Sequence, residues 1–549
     1  MIWQLEVWII KTYGRKTIKV NYTEAEILNA EPLKQNEIIL DIMQQAKPIH
    51  EYNALTSRYL RGYYTGIQDI MNKTKYTRTE INNKTVENWC FAFIDFKKCY
   101  LLGKPIQYVQ LNDSGEEEIS LLNKYVKNEN KKSKDMELYE DILICGRGFR
   151  YTNFKAENKY EDSEFSKEET APFEILNADY DNTEVVYSNR LGNEQILSFI
   201  QTDMEFIDTT IDPKTGETIN TPRIYNEYTV YLRNRKVVVS DKSGELEILP
   251  ETEDTTTIAL NDHVITEYYL NRDRISLIEI GKDLFDDINY LESLDKDDME
   301  QFVNAIMVFV NAEIDAEGLE NMKELGAVCI SSTENRKASV ELLQQRLNAT
   351  DTQVYYTRLL TSLHQILGVP MSTDTGTVTS GDTGKAKLTG QGYTMAGIRA
   401  EGQETMFGKC DKISLRKILK ICREATETGI KKLKSSDVEA KFQRDMSDNL
   451  LVKTQALLNL YNADIPRKFA NAIVGLFGDP NAITKEQETL FGKQATRLGA
   501  GNKQEVDPLN PLANQKPNDD TKNTNKNDIT SQQDNKLQNI NERNEQGNN

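Results

Sequence analysis

Apolar positions Ile38, Ile39, Ile42 and Met43 recur at helical spacing from Glu37 onward, and the region Glu37 to Tyr151 reads as mostly helical. A break is expected at Lys47-Pro48, because proline removes a backbone donor. Gly103 and Pro105 predict a helix stop followed by an extended segment, and Gly146 to Tyr151 predicts a turn into a strand. Between Phe173 and Leu270 the period drops to two, with β-rich runs Glu184–Tyr187, Tyr225–Leu232 and Val237–Val239. Turn clusters at Asp212–Gly216 and Asp241–Gly244 predict antiparallel hairpins there.

Helical spacing returns at Ser276, where Ser276-x-x-Glu279 predicts a capping box. Leu284, Ile288 and Leu291 share one face, and Phe302, Ile306 and Phe309 continue the stripe beyond a break expected near Ser293. The opposite face carries Asp283, Asp286, Asp287, Asp295, Asp297 and Asp298 and reads as a solvated face. From Glu313 to Asn348 the pattern is mixed, Ala327–Ser331 being the one strand-like run. Thr350-x-x-Gln353 predicts a second capping box, opening a helix with Tyr356, Leu359, Leu360, Leu363 and Leu367 on one side and a stop at Gly368. Met371 to Gly384 is small and polar and reads as a loop. Lys385 to about Thr428 reads as one long helix interrupted by glycines at 390, 392, 397, 402 and 408. Val438 to Leu498 reads as a further helical module.

A length of 549 residues implies several packed regions rather than one small module. The last 49, Gly501 to Asn549, hold no aromatic residue and 19 Asn or Gln, so they are expected to stay disordered. The densest apolar run, Ala305 to Val310, is far short of a membrane span, and Met1 to Tyr13 lacks the cleavage site of a signal peptide. The formal net charge of -19 argues against a tight grip on nucleic acid. Cys90, Cys99, Cys145, Cys329, Cys410 and Cys422 form no C-x-x-C pair and His50, His263 and His364 lie far apart, which predicts buried thiols in a reducing compartment and no metal site.

Enzyme signatures fail. The stretch ending Gly384-Lys385-Ala386 is the nearest approach to a phosphate loop, but Thr379 stands where glycine is required and Ala386 where a hydroxyl must meet magnesium. No catalytic residue and no cofactor is therefore expected. Lys131-Lys132-Ser133-Lys134 and Lys431 to Lys434 read as solvated charge at loop positions. Lys385 and Lys387, at the end of the flexible loop, could touch a phosphate weakly and release it.

Tyr59 to Gln68, Glu80 to Lys84 and Tyr100 to Ile106, taken in order, resemble the N-terminal signature of siphophage portal proteins. Ala171-Pro172-Phe173, Val185 to Ser188, Phe302 to Ala305, Thr379 to Leu388 and Phe442 to Asp448 resemble later parts of that family, so coverage runs from about Tyr52 to Ala463. The resemblance implies an α+β, predominantly helical fold with portal-like wing, stem, clip and crown regions. It places an N-terminal segment at 1–47, the wing at 48–276 with a long wing helix at 386–437, stem helices at 277–312 and 351–371, the clip at 313–350, a tunnel loop at 372–385, the crown at 438–500 and the tail at 501–549. It implies a homo-oligomeric ring, typically a dodecamer, at one capsid vertex of the virion, assembled in the host bacterial cytoplasm. It also implies that double-stranded DNA passes weakly through the channel during packaging and ejection. Implied partners are the terminase large subunit, a head completion or adaptor protein, and the major capsid and scaffolding proteins, with no membrane. Thr377, Thr379, Ser380, Lys385 and Lys387 fall in the implied tunnel loop; Glu317, Glu320, Lys323, Glu334 and Arg336 fall in the implied partner-binding clip. The alternatives are a minor capsid or adaptor protein of the connector and, with no motif in support, a packaging ATPase.

Overall fold

The computed structural model describes most residues between 14 and 474; the longer intervals outside the description are 112–115, 156–169, 212–217, 251–257, 311–338, 344–348, 372–391 and 444–449. The chain divides into two units, Met1–Ala482 and Ile483–Asn549, and the elements below belong to the first. The fold mixes helix and strand with helix in the majority.

Strand β1 (Ile18–Val20) buries Ile18 and Val20 and exposes Lys19. Thr23 and Glu26 then form a capping box that opens α1 (Glu24–Leu28). Helix α2 (Pro32–Tyr64) starts with proline in its first turn, where the missing donor is harmless. Asn88 caps α3 (Trp89–Leu102), its side chain accepting from the Phe91 N–H at 3.2 Å. There follow β2 (Gln107–Gln110), α4 (Glu116–Asn128) and α5 (Lys131–Cys145), the last ended by Gly146 at φ +81°. The β-rich middle comprises β3 (Arg147–Phe154), β4 (Phe173–Ala178), β5 (Thr183–Ser188), β6 (Gln195–Ile211), β7 (Thr218–Tyr231), β8 (Lys236–Ser240), β9 (Glu247–Ile248) and β10 (Ile265–Tyr269). The chain continues through α6 (Leu277–Val303), β11 (Ile306–Val310), β12 (Ser339–Leu343), α7 (Ala349–Leu367), α8 (Tyr393–Glu424), β13 (Val438–Lys441), α9 (Leu450–Asn462) and α10 (Arg467–Val474).

Six strands form one sheet in the order β1-β5-β6-β7-β8-β9, with β1 parallel to β5 and the rest antiparallel. A three-stranded sheet, β10-β3-β4, and two pairs, β11-β12 and β13-β2, complete the ladders. One core packs the first half of α2 (Ile39, Ile42, Met43, Ala46) on the six-stranded sheet through Val186, Leu197, Phe199, Tyr228 and Val230. The larger core joins α3 to α8 and the three-stranded sheet around Phe93, Tyr139, Phe149, Phe285, Leu363 and Phe407.

Several expectations need correction. Helix α2 runs unbroken through Pro48. A proline inside a helix costs about 3 kcal/mol locally, but Ile42, Met43 and Ala46 before it and His50 and Asn53 after it are all buried, and that burial outweighs one lost hydrogen bond. Helix α6 likewise passes through Ser293, whose hydroxyl donates to the Asn289 carbonyl at 2.7 Å within the helix and accepts the Thr85 N–H at 2.9 Å. The helix then stops at Val303, and Ile306–Val310 is strand, paired with Ser339–Leu343, not a continued helical stripe. A short apolar run carries no period that separates strand from helix. Ala327–Ser331 lies outside the described residues, whereas Ser339–Leu343 is a strand the periodicity did not reveal.

Thr350 lies inside the first turn of α7, which begins at Ala349. The expected single helix from Lys385 is interrupted at Gly392, whose φ of +84° an α-helix cannot contain; α8 starts at Tyr393, and Lys385 to Gln391 lie outside the described residues. Val438–Lys441 is strand, held by pairing with Gln107–Gln110 more than 300 residues earlier in the chain. Lys131 is not a solvated loop residue: it is buried at the start of α5. The Asp212–Gly216 turn and the Gly501–Asn549 tail lie outside the described residues.

Candidate functional site

The helices α6 and α7, expected from the sequence to be the stem, form an antiparallel pair. Leu277, Ile278, Phe285 and Ile288 of α6 and Leu359, Leu363 and Leu367 of α7 are buried in the same core. Gly281 permits the close approach: a Cβ there would meet Leu363 Cδ1 at 3.2 Å and the Phe285 ring at 2.8 Å. Because Gly281 sits near the start of α6 and Leu363 near the end of α7, the two run in opposite directions. Contacts with the α3 region hold α7 further. The Tyr356 hydroxyl donates to Glu87 at 2.8 Å, and His364 lies edge-on to Phe93 with ring centroids 4.8 Å apart. Burial pushes the His364 pKa down, and its Nδ1 lies 3.1 Å from the Val369 carbonyl.

The start of α6 is anchored from three directions. Ser276 N–H donates to Glu279 Oε2 at 2.8 Å and Glu279 N–H to Ser276 Oγ at 3.0 Å, so the expected capping box is present. Glu279 Oε1 also accepts the Gly14 N–H at 2.9 Å and pairs with the Arg15 guanidinium. Two glycines flank the preceding turn: a Cβ on Gly14 would fall 2.1 Å from the Asp273 carbonyl, and one on Gly146 2.0 Å from that of Arg274.

The acidic face of α6 is only partly solvated, which corrects the sequence reading. Asp283 and Asp287 are exposed. Asp286 accepts from the Tyr63 hydroxyl at 2.8 Å and from Lys282 at 2.6 Å, and Lys282 also reaches Asp69. Burial nevertheless keeps the Asp286 carboxyl above its usual range. Asp297, 1% exposed, receives Lys73 at 2.7 Å, Lys75 at 3.3 Å and both the backbone N–H and side-chain amide of Asn83. Burial acts to raise its pKa, but these donors outweigh it and hold the carboxyl at about 2. On either side of Asp297, burial and like-charged neighbours raise Glu292 and Asp298.

Every residue singled out in the clip (Glu317, Glu320, Lys323, Glu334, Arg336) and in the tunnel loop (Thr377, Thr379, Ser380, Lys385, Lys387) lies outside the described residues. Their roots are described. The excursion over 311–338 is closed at its base by the β11–β12 ladder, where Val310 pairs with Ser339. The excursion over 372–391 begins and ends at neighbouring points, since a Cβ on Gly392 would come within 3.8 Å of Pro370 Cα. Arg399 of α8 donates to the Ile366 and Gln365 carbonyls, so a cation covers the last turn of α7 where that excursion departs. In the chain α7, whose 19 residues span about 28 Å at about 1.5 Å per residue, lies between the two excursions.

Sequence reasoning missed a buried charge network that joins β2, α5, β3 and α8. Lys131 Nζ lies 2.7 Å from Asp135 and 2.9 Å from Asp411; Arg150 lies 2.9 Å from Asp135; and the Tyr108 hydroxyl donates to Asp411 at 2.7 Å. Burial pushes Asp411 up, yet Lys131, Tyr108 and Arg150 together pull its pKa below the ordinary value. The i,i+4 spacing of Lys131 and Asp135 is the one trace of it in the sequence. Nearby, burial depresses Lys417 to about 7, its amine donating to the Ile265 carbonyl and Thr266 Oγ1.

Cys90, Cys145, Cys410 and Cys422 are buried thiols and Cys99 is exposed, while Cys329 lies outside the described residues. Among the described residues no group of three or more His, Cys, Asp and Glu side chains is placed to hold a metal ion, and no helix is long and apolar enough to cross a membrane. Of the charged groups on α6, Asp286 and Asp297 are engaged in holding it against neighbouring elements.

No curated protein matches the chain. A family model does, over residues 45–507, which takes in the antiparallel pair and both excursions: by that match the chain belongs to the phage portal proteins, SPP1 Gp6-like.

Proposed function

We propose that copies of this chain close into a ring at one vertex of a phage capsid and form the conduit through which double-stranded DNA is packaged and later ejected. The family is a structural one without enzymatic activity. The observation that carries the reading is the family match over 45–507, which takes in the antiparallel pair and two segments, 311–338 and 372–391, whose ends are each held close together. In this reading α6 and α7 are the stem. The excursion over 311–338, with Glu317, Glu320, Lys323, Glu334 and Arg336, is the clip that meets the terminase and then the head completion or adaptor protein. The excursion over 372–391 is the tunnel loop, in which Thr377, Thr379, Ser380, Lys385 and Lys387 approach DNA. Residues 48–276, helical part and β-rich part together, with the long helix of 386–437, are the wing, and 438–500 is the crown. The ring contacts major capsid and scaffolding proteins at the vertex.

Charge supports a conduit over a clamp. A net of -19 keeps the DNA backbone at a distance, and a few loop lysines can touch phosphates and release them. Electron microscopy of the purified chain, with mass by light scattering on the same sample, tests the reading. Closed rings with a central hole, of mass near twelve copies, are expected; a monomer under all conditions, including added scaffolding protein, would overturn it. Lys385→Glu with Lys387→Glu should leave rings intact and lower the yield of packaged genome. A normal yield would remove the loop from the DNA path.

A further inference from the structure

The six-stranded sheet ends in an overhang. β5 pairs with β6 only as far as Ile200, and β8 pairs with β7 only between Glu227 and Tyr231. Beyond those points β6 and β7 continue together to Ile211 and Thr218. Over residues 202–211 and 218–226 they form a two-stranded ribbon roughly 33 Å long at about 3.3 Å per residue. No third strand flanks it among the described residues.

Directly paired residues of an antiparallel ribbon share a face, and the two faces differ. One carries Met204, Phe206, Arg223 and Tyr225, and is furnished from within the chain. Phe206 and Tyr225 meet edge to face at 5.5 Å, Lys242 lies 5.0 and 5.5 Å from their ring centres, and Arg223 pairs with Asp208 at 3.0 Å. The other carries Glu205, Ile207, Pro222 and Ile224, with Ile207 67% and Ile224 70% exposed. Its root is rigid: Asp241 accepts from the Asn226 N–H at 2.6 Å and pairs with Lys47 of α2 at 2.8 Å. A protruding ribbon with an open edge and a bare apolar face is a surface that soluble proteins ordinarily cover.

We infer that the Ile207–Pro222–Ile224 face of this ribbon is an arm that docks on the next copy of the chain in the ring. The inference rests on the ring proposed above. Area selects the occupant. A ribbon two strands wide offers roughly 300 Å² on one face, well under the roughly 800 Å² per partner of a stable free-standing contact. It cannot hold a separate protein or a two-fold dimer by itself. It can extend a contact that ring closure already enforces, because each copy in a ring presents both the arm and its acceptor in one repeated head-to-tail contact. Asp203 and Glu205 border the strip, so the acceptor is an apolar surface with basic residues at its margin.

The full-length chain tests this with Ile207→Lys plus Ile224→Lys beside the conservative Ile207→Val plus Ile224→Val. Wild type and the valine pair should form rings alike. The lysine pair should need at least ten-fold more protein for half assembly by light scattering, with an unchanged melting temperature of the unassembled chain. Assembly of the lysine pair at wild-type concentrations would overturn the arm and leave the portal reading standing, whereas a wild type that never assembles overturns both. Amide hydrogen exchange on wild type provides a measurement free of folding effects. Residues 202–208 and 221–226 should be protected in rings and exposed in the dissociated chain, and equal exchange in both states overturns the arm.

Discussion

Glu279 Oε1 accepts the Gly14 backbone N–H at 2.9 Å while Oε2 of the same carboxylate accepts Ser276 N–H. A residue that precedes the family match at 45–507 thus completes the cap of the helix on which the proposed stem depends. β1 leads from that point into the six-stranded sheet beside β5, so residues 14–20 tie sheet and helix together.

Gly14→Ala should therefore destabilise the fold by about 1–3 kcal/mol, the range for forcing a side chain into a left-handed conformation. Gly14 has φ +85° and its added Cβ would strike the Asp273 carbonyl. Chemical denaturation gives the answer, and a variant as stable as wild type would show that the Gly14 contact is dispensable.

Asp297→Asn should release the segment around Asn83 from α6. The folded carboxyl, at about 2, is below the ordinary Asp value of about 3.9. Its stabilisation is complete above about pH 4 and disappears as pH falls through about 2. The substitution should cost on the order of 1–2 kcal/mol at neutral pH and less at pH 3. Unfolding free energies measured at both values check this; an equal loss at both would mean the charge is not what holds the segment.

Lys417 gives a slope of the same sign in a higher pH window. Burial depresses it to about 7, whereas in the unfolded chain a lysine titrates near 10.4. Between those values the unfolded state binds the extra proton, so wild-type stability rises with pH relative to Lys417→Met. Urea denaturation of both proteins at pH 6, 8 and 9 should show the gap shifting in favour of wild type, and a pH-independent gap refutes the buried neutral amine.

Lys131→Met should be severe, about 3–5 kcal/mol, because Asp411 and Asp135 lose their shared cation inside the core. Adding Asp411→Asn should recover part of that loss. A double variant no better than the single one would show that lost packing, not the stranded carboxylate, dominates.

Local chemistry made much of this protein legible before any tertiary structure. The Ser276–Glu279 capping box, the Gly146 turn into β3, the Asp241–Gly244 turn and the Leu359–Leu363–Leu367 face of α7 each depend on residues within a few positions of one another, and each is present. The ordered words from Tyr59 to Ile106 pointed to the portal family that the match over 45–507 establishes. What the tertiary structure decided were the cases where distant burial opposes local preference. Pro48 stays helical because a sheet formed by residues 186–239 packs against its helix, and Val438–Lys441 is strand because Gln107–Gln110 lies alongside it. Lys131, one of three lysines in four residues, looks solvated until Asp411, 280 positions away, is placed beside it. Periodicity records how one segment meets an average environment; which carboxylate, strand or helix supplies that environment is settled only when the chain closes on itself.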